Sequence, residues 1–323
     1  MADRVALVIV DATYPDDEVE RAAAGALGVA VRRACVDDPA GLPAAIGDAA
    51  GVLVQLMRID AATLDACPSL RVLGRYGVGI DDIDLAAATA RGIAVVNVPD
   101  YATEEVASHA AALILAAARR VPEADRLVRA GRWDEWAELR PIAPLSESAL
   151  GLVGVGRIGG EVVRQVGPLF GAILATDPAP AALPAGVERV ELPELLERSD
   201  VVSLHLPLTP GTRHLIDAAA LASMRPHAAL VNVSRGGLID QAALAAALAR
   251  GRPRFAALDV LGEEPPPDDE PLLRSERVLL TNHVAWYSER AMHRLRHRLA
   301  DRCARVLRGE GVDGLVNPEV LGR

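Results

Sequence analysis

Hydrophobic residues in this chain come in short β-branched runs, separated by Ala-rich stretches whose polar residues recur at helical spacing. The runs VALVIVD from Val5, GVAVRRA from Gly28, GVLVQL from Gly51, LRVLGRYG from Leu70 and IAVVNVP from Ile93 follow at near-regular intervals. Each is continuous rather than alternating, as in strands covered on both faces, so the pattern predicts a parallel sheet with helices on either side. A long helix is expected from Thr103 or Glu104 to Arg120, stopped by Pro122. A second block opens at ALGLVGVGRIGG and continues through AILATDP, DVVSLHLPLT, AALVNVSRGG, FAALDVLGEEPP and RVLLTNH. The closing stretch, SERAMHRLRHRLADRCARVLRGEG, reads as one amphipathic helix. Ser288 is its N-cap, Met292, Leu295, Leu299, Cys303 and Val306 its apolar stripe, and Gly309 its stop. At 323 residues, the two blocks predict two α/β domains.

Composition narrows the chemistry. A formal net charge of -10 lacks the electrostatic footprint of a nucleic-acid binder. No run approaches the ~20 apolar residues of a membrane span, and the N-terminal run breaks at Asp11, as a first strand does and a signal peptide does not. The basic residues are all arginine, which removes Schiff-base chemistry and a P-loop lysine. Cys35, Cys67 and Cys303 are odd in number and widely spaced, neither a disulfide framework nor a metal box, so a reducing cytoplasm and no metal are expected. Between the blocks, residues 123–148 place Trp133 and Trp136 among charges. Either these indoles pack into the core, or the segment is an arm that buries them against a second subunit.

GLVGVGRIGG carries Gly154, Gly156 and Gly159 as G-x-G-x-x-G, after an apolar strand and before a helical stretch. An acidic residue, Asp177, ends the next strand, eighteen residues past Gly159. In that context the glycines supply a tight turn, close approach of backbone to pyrophosphate and tight helix–strand packing, while the helix N-terminus stabilises phosphate charge. A carboxylate at Asp177 accepts hydrogen bonds from ribose hydroxyls and repels a 2′-phosphate, and the following PAPAAL holds no adjacent arginine. NAD is therefore expected over NADP.

Ligands of an open parallel sheet bind beyond the carboxyl ends of its strands. Those ends carry His205, then Ser234-Arg235-Gly236-Gly237, then Asp259 with Glu264 close behind, then Asn282-His283. Hydride exchange between nicotinamide and a carbonyl carbon needs a proton at the carbonyl oxygen. An imidazole supplies it, and a neighbouring carboxylate fixes the ring tautomer. A guanidinium fork binds a substrate carboxylate. His283 is thus the candidate acid/base, Glu264 its orienting partner and Arg235 the clamp, with Glu263 an equal rival to Glu264 on these grounds.

GLVGVGRIG with TDP, VNVSRGGLID, ALDVLGEEP and LLTNHVAW, in that order and spacing, resemble the D-isomer-specific 2-hydroxyacid dehydrogenases over nearly the whole chain. The resemblance implies Arg235, Glu264 (the glutamate directly before proline) and His283 as the catalytic set, with NAD as cofactor. It implies Val153, Gly154, Val155, Gly156, Arg157 and Ile158 as the pyrophosphate loop and Leu206, Pro207 and Thr212 along the adenosine side. Val233 and Asp259 would hold the nicotinamide carboxamide. In RYGVGIDDID, backbone N–H groups at Val78 and Gly79 would receive the substrate carboxylate, with Arg75 adding charge. The implied architecture is a Rossmann domain, residues 99–287, inserted into a flavodoxin-like substrate domain, residues 1–98 and 288–323, with catalysis in the cleft between them. Residues 121–149 would form a homodimer contact.

The chain departs from the family where Asn282 replaces the usual proline before the histidine and VAWYSE replaces glycines after it. That version is similar to the branch of the C-terminal binding proteins and implies that Trp286 shapes the substrate pocket. It also raises an alternative, a dimeric corepressor-like scaffold that senses NAD(H). A second alternative is a dehydrogenase of another small anion such as phosphite.

Overall fold

The computed structural model describes residues 7–34, 36–178 and 182–321. The start of the first run at Val5, Cys35 and residues 179–181 of PAPAAL lie outside the described residues. The chain forms two compact units, Met1–Tyr101 with Ser288–Arg323, and Ala102–Tyr287.

The first unit is built on β1 (Leu7–Ile9), β2 (Val31–Arg33), β3 (Gly51–Val54), β4 (Val72–Arg75) and β5 (Ala94–Val96), all parallel in the order β2-β1-β3-β4-β5. That is the flavodoxin-like order. Val8, Val52, Val54, Leu73 and Val95 face one core with Leu42, Ile46 and Leu64. The C-terminal helix Glu289–Leu307 lies against the sheet at Gly74, where a Cβ would stand 2.6 Å from Cys303 Sγ and 3.2 Å from Leu299 Cδ1. Ser288 caps it, its side chain accepting from Ala291 N–H at 2.9 Å, and Gly309 ends it at φ +81°. The unit extends to Tyr101, past the boundary expected after residue 98, because the C-terminal helix holds that segment. Arg294 donates to the Tyr101 carbonyl at 2.7 Å and Arg298 to the Asp100 carboxylate at 2.6 Å.

The second unit carries β6 (Ala149–Val153), β7 (Ala172–Thr176), β8 (Val187–Arg189), β9 (Val201–Leu204), β10 (Ala229–Asn232), β11 (Phe255–Leu258) and β12 (Val278–Leu280). All pair in parallel, in the order β12-β11-β10-β9-β6-β7-β8. The order turns back at β6, the switch point of a Rossmann sheet, and a buried apolar cluster lies on each face. Strand β8 is the strand the hydrophobic pattern did not signal; Val187 is its one apolar residue.

The helix expected to run to Arg120 stops at Ala118, and Arg120 takes a left-handed φ of +56°. Pro122 then sits in the first turn of a new helix, Val121–Arg129, where a missing N–H costs nothing. Trp133 and Trp136 are 76% and 61% exposed, so neither is a core residue of this chain. No described helix is long and apolar enough to cross a membrane.

Candidate active site

Both ends of the glycine loop are closed and its middle is open. Gly154 turns the chain out of β6 at φ +97°, and a Cβ there would stand 2.9 Å from the His205 carbonyl. A Cβ at Gly159 would lie 2.3 Å from the Gly154 oxygen. Gly156, by contrast, has nothing within 4 Å of where a Cβ would be, and it starts the helix Arg157–Val166. Open space at the helix N-terminus, walled by glycines that admit no side chain, fits a pyrophosphate.

Asp177 follows β7, and its Oδ2 accepts from the Val155 N–H at 2.7 Å, so the acidic residue and the loop are in register. The fold also brings an arginine that PAPAAL lacked, since Arg189 at the end of β8 donates to the Asp177 backbone oxygen at 3.3 Å. Val153 and Leu206 are buried, Pro207 is exposed, and Thr212 braces the turn after β9 by donating to the Pro207 carbonyl at 2.7 Å. Ile158 is half-buried and Arg157 exposed.

Three strand ends further along converge on one cluster. At the end of β10, Asn232 is fully buried and ties the next turn through bonds to the Arg235 oxygen (2.9 Å) and the Ser234 N–H (3.0 Å). A Cβ at Gly236 would stand 1.9 Å from the Leu261 oxygen, so only glycine lets the Arg235 turn lie against the segment leading to Glu264. Glu264 Oε1 accepts from Leu261 N–H at 2.9 Å, and Oε2 lies 2.5 Å from His283 Nδ1. Burial works against its charge, but the His283 hydrogen bond and charge, the Leu261 N–H and the Arg235 charge outweigh it. Glu264 is held below the usual carboxylate range.

His283 itself adopts φ +54°, a left-handed conformation that costs a non-glycine residue energy and needs local support. Asp259, 1% exposed at the end of β11, supplies it. Its backbone oxygen accepts from His283 N–H at 2.8 Å. Its carboxylate accepts from Thr281 Oγ1 (2.6 Å), Val284 N–H (3.0 Å) and Ala285 N–H (3.0 Å). His109, from the helix Thr103–Ala118, reaches Thr281 Oγ1 at 3.1 Å and completes the support. Because the Thr281 hydroxyl proton goes to Asp259, His109 Nε2 is the donor to Thr281. Sequence pattern does not single out His109 or Thr281; the adjacent polar pair Ser108-His109 inside VASHAAALIL is the one signal it offers. Val233 is buried, Asn282 is exposed, and half-buried Trp286 packs edge-on to Tyr287 with centroids 5.7 Å apart.

In the first unit, Arg75 ends β4 and folds onto its own loop, donating to the Tyr76 oxygen and standing 4.0 Å from Asp82. Gly77 turns the chain at φ +139°, Val98 N–H donates to the Gly77 oxygen at 3.0 Å, and Asn97 donates to the Val78 oxygen at 2.7 Å. Val78 is 46% exposed and Gly79 half-buried.

Residues 111–285 match the family model described as D-isomer specific 2-hydroxyacid dehydrogenase, NAD binding domain. The chain belongs to that family. This D-isomer specific 2-hydroxyacid dehydrogenase relative is 44% identical over 268 residues to the glyoxylate reductase of Korarchaeum cryptofilum, covering 81% of each chain. It is 39% identical over 307 residues to the D-3-phosphoglycerate dehydrogenase of Mycobacterium leprae, covering 93% of this chain and 58% of that protein. Among solved structures, the TT0316 protein from Thermus thermophilus superposes with a TM-score of 0.81 at 35% identity, covering 96% of this chain and 99% of the other. The chain is thus an oxidoreductase that uses a nicotinamide dinucleotide.

Proposed function

We propose that this protein interconverts a 2-keto acid and a D-2-hydroxy acid with NAD(H), using His283, Glu264 and Arg235. The observation that carries this reading is the His283 Nδ1–Glu264 Oε2 contact of 2.5 Å, within the field of Arg235. An ionised Glu264 accepts, so Nδ1 bears the proton and Nε2 is left as the acid/base atom. The bound nicotinamide supplies or takes up the hydride. His283 Nε2 delivers a proton to the carbonyl oxygen during reduction and removes it from the hydroxyl in reverse. Arg235 grips the carboxylate and polarises the reacting oxygen through its planar fork. Val78 and Gly79 N–H groups receive the substrate carboxylate with Arg75 beside them, and Trp286 bounds the side-chain pocket.

For the cofactor, residues 153–158 cradle the pyrophosphate, Asp177 takes the ribose hydroxyls and favours NAD over NADP, and Leu206, Pro207 and Thr212 border the adenosine. Val233 and Asp259 hold the carboxamide, and three protein donors fix the Asp259 side chain in place for it. The names of the two relatives support 2-keto and 2-hydroxy acids as the substrate class. The test is NADH oxidation with glyoxylate, hydroxypyruvate, 3-phosphohydroxypyruvate and bulkier 2-keto acids, followed by chiral analysis of the product. A D-hydroxy acid from at least one is expected; tight NADH binding without turnover of any acid, or an L product, would overturn it.

A homodimer through residues 121–149 belongs to the same reading. It is supported by the exposure of Trp133 and Trp136 together with Val121 and Val128. Sedimentation of the parent chain and of Trp133→Arg tests it, the variant being expected to sediment as monomer. A cytoplasmic location is also part of it, supported by buried free thiols at Cys67 and Cys303.

A further inference from the structure

The first unit buries a charged cluster that the proposed reaction does not use. Glu20, on the helix Glu18–Gly25, is fully buried, and Arg296 of the C-terminal helix is 3% exposed. Arg296 grips Glu20 with two bonds, Nε to Oε1 at 2.9 Å and Nη2 to Oε2 at 2.7 Å, and also reaches the Asp16 carbonyl (2.8 Å) and carboxylate (2.7 Å). The second lone-pair direction of Glu20 Oε1 is taken by Tyr76, whose hydroxyl donates at 2.9 Å. Burial, and then Glu20 itself, push the Tyr76 phenol well above its ordinary range, so it is a donor at any physiological pH. Tyr14 closes the cluster, edge-on to Tyr76 at 5.2 Å and under the Arg296 guanidinium at 5.0 Å.

Hydrophobic residues of the same volume would pack such a space at no loss of stability, and often at a gain, because desolvating an ion pair is costly. What an ion pair adds is direction. Tyr76 is the last residue before Gly77, where the chain turns at φ +139° into the Val78–Gly79 loop. A phenol that must end on one carboxylate oxygen, itself held by a guanidinium fork, sets where that turn begins.

We propose that Glu20, Arg296 and Tyr76 are positioning residues that fix the loop at residues 77–84 in its anion-receiving shape. This rests on the reading that Val78 and Gly79 receive the substrate carboxylate. The lock acts through backbone placement and touches no reacting atom.

The test combines Tyr76→Phe, which deletes one hydroxyl and leaves the ion pair whole, with Glu20→Gln. Amide hydrogen exchange of residues 77–84 is followed in each, beside KM for the best 2-keto acid, kcat and the Kd for NADH. Faster exchange in the loop is expected, with KM up ~10-fold, the scale of one hydrogen bond to a charged group, and kcat and NADH Kd within about twofold of the parent. Should Glu20→Gln fail to fold, Tyr76→Phe alone decides. Loop exchange unchanged in Tyr76→Phe would overturn the lock. Faster exchange with an unchanged KM would uphold the lock and overturn instead the assignment of this loop to the substrate.

Discussion

Glu264 and His283 lie nineteen residues apart in sequence, yet their side chains meet at 2.5 Å. The neighbouring strands β11 and β12 set their starting points, and Asp259 holds the turn after β12 in a left-handed conformation that aims the imidazole at the carboxylate. Glu264→Gln keeps the shape and removes the charge. Turnover is expected to fall ~10-fold or more, less than on losing the imidazole itself, because the ring loses its fixed tautomer while keeping its proton-transfer atom. Steady-state kinetics measure this; parental turnover would mean that the contact does no orienting.

Arg235→Lys should be nearly as damaging as Arg235→Ala. An ammonium keeps the charge but cannot reproduce the two-pronged grip on a carboxylate. The comparison is kcat/KM for the same 2-keto acid in both variants, and full activity in the lysine form would show that positive charge alone is used there.

Asp177→Ala should narrow the preference for NADH over NADPH. The carboxylate that repels a 2′-phosphate is gone, while Arg189, bonded to the residue 177 backbone oxygen in the parent, stays close by. A double variant with Arg189→Ala should then lose part of the NADPH binding gained. Unchanged discrimination in Asp177→Ala would remove that side chain from cofactor choice.

Much of this site is legible in the sequence because each element declares itself locally. The continuous runs mark covered strands, and Gly154, Gly156 and Gly159 mark a turn that side chains would block. Each sheet is parallel, so its polar strand ends fall on one edge of that sheet. Illegible parts are those decided by packing across long separations. Arg189 sits on a strand with one apolar residue, His109 in an alanine-rich helix, and the Glu20–Arg296 pair joins residues 276 apart. Residue chemistry does not separate Glu264 from Glu263 and the family pattern does, whereas geometry decides through the bond to His283. The early end of the long helix is illegible because the left-handed turn at Arg120 carries no glycine to announce it.

An imidazole packed against the glycine loop gives a pH prediction. Burial pushes the His205 imidazole down from 6.5 to about 4, and its Nδ1 is a buried atom without a hydrogen-bond partner. The unfolded chain takes a proton near pH 6.5 that the folded one refuses until about 4. Stability therefore falls as pH drops through that window, by ~3 kcal/mol at its lower end. Urea midpoints between pH 7 and 4.5 should decline less steeply in His205→Asn than in the parent; equal slopes would count against this.

Burial also pushes the Cys67 and Cys303 thiols up. Alkylation at pH 8 followed by peptide mapping should leave both unmodified in the folded protein and label both in denaturant. Rapid labelling of Cys303 in native protein would mean that the C-terminal helix lifts from the sheet at Gly74.

The most direct measurement is a single turnover of prebound NADH by a 2-keto acid in His283→Ala beside the parent chain. NADH affinity should stay within about twofold, and the rate of absorbance loss at the nicotinamide band should drop ~10²-fold or more. A variant that oxidises NADH at close to the parental rate would take the imidazole out of the reaction.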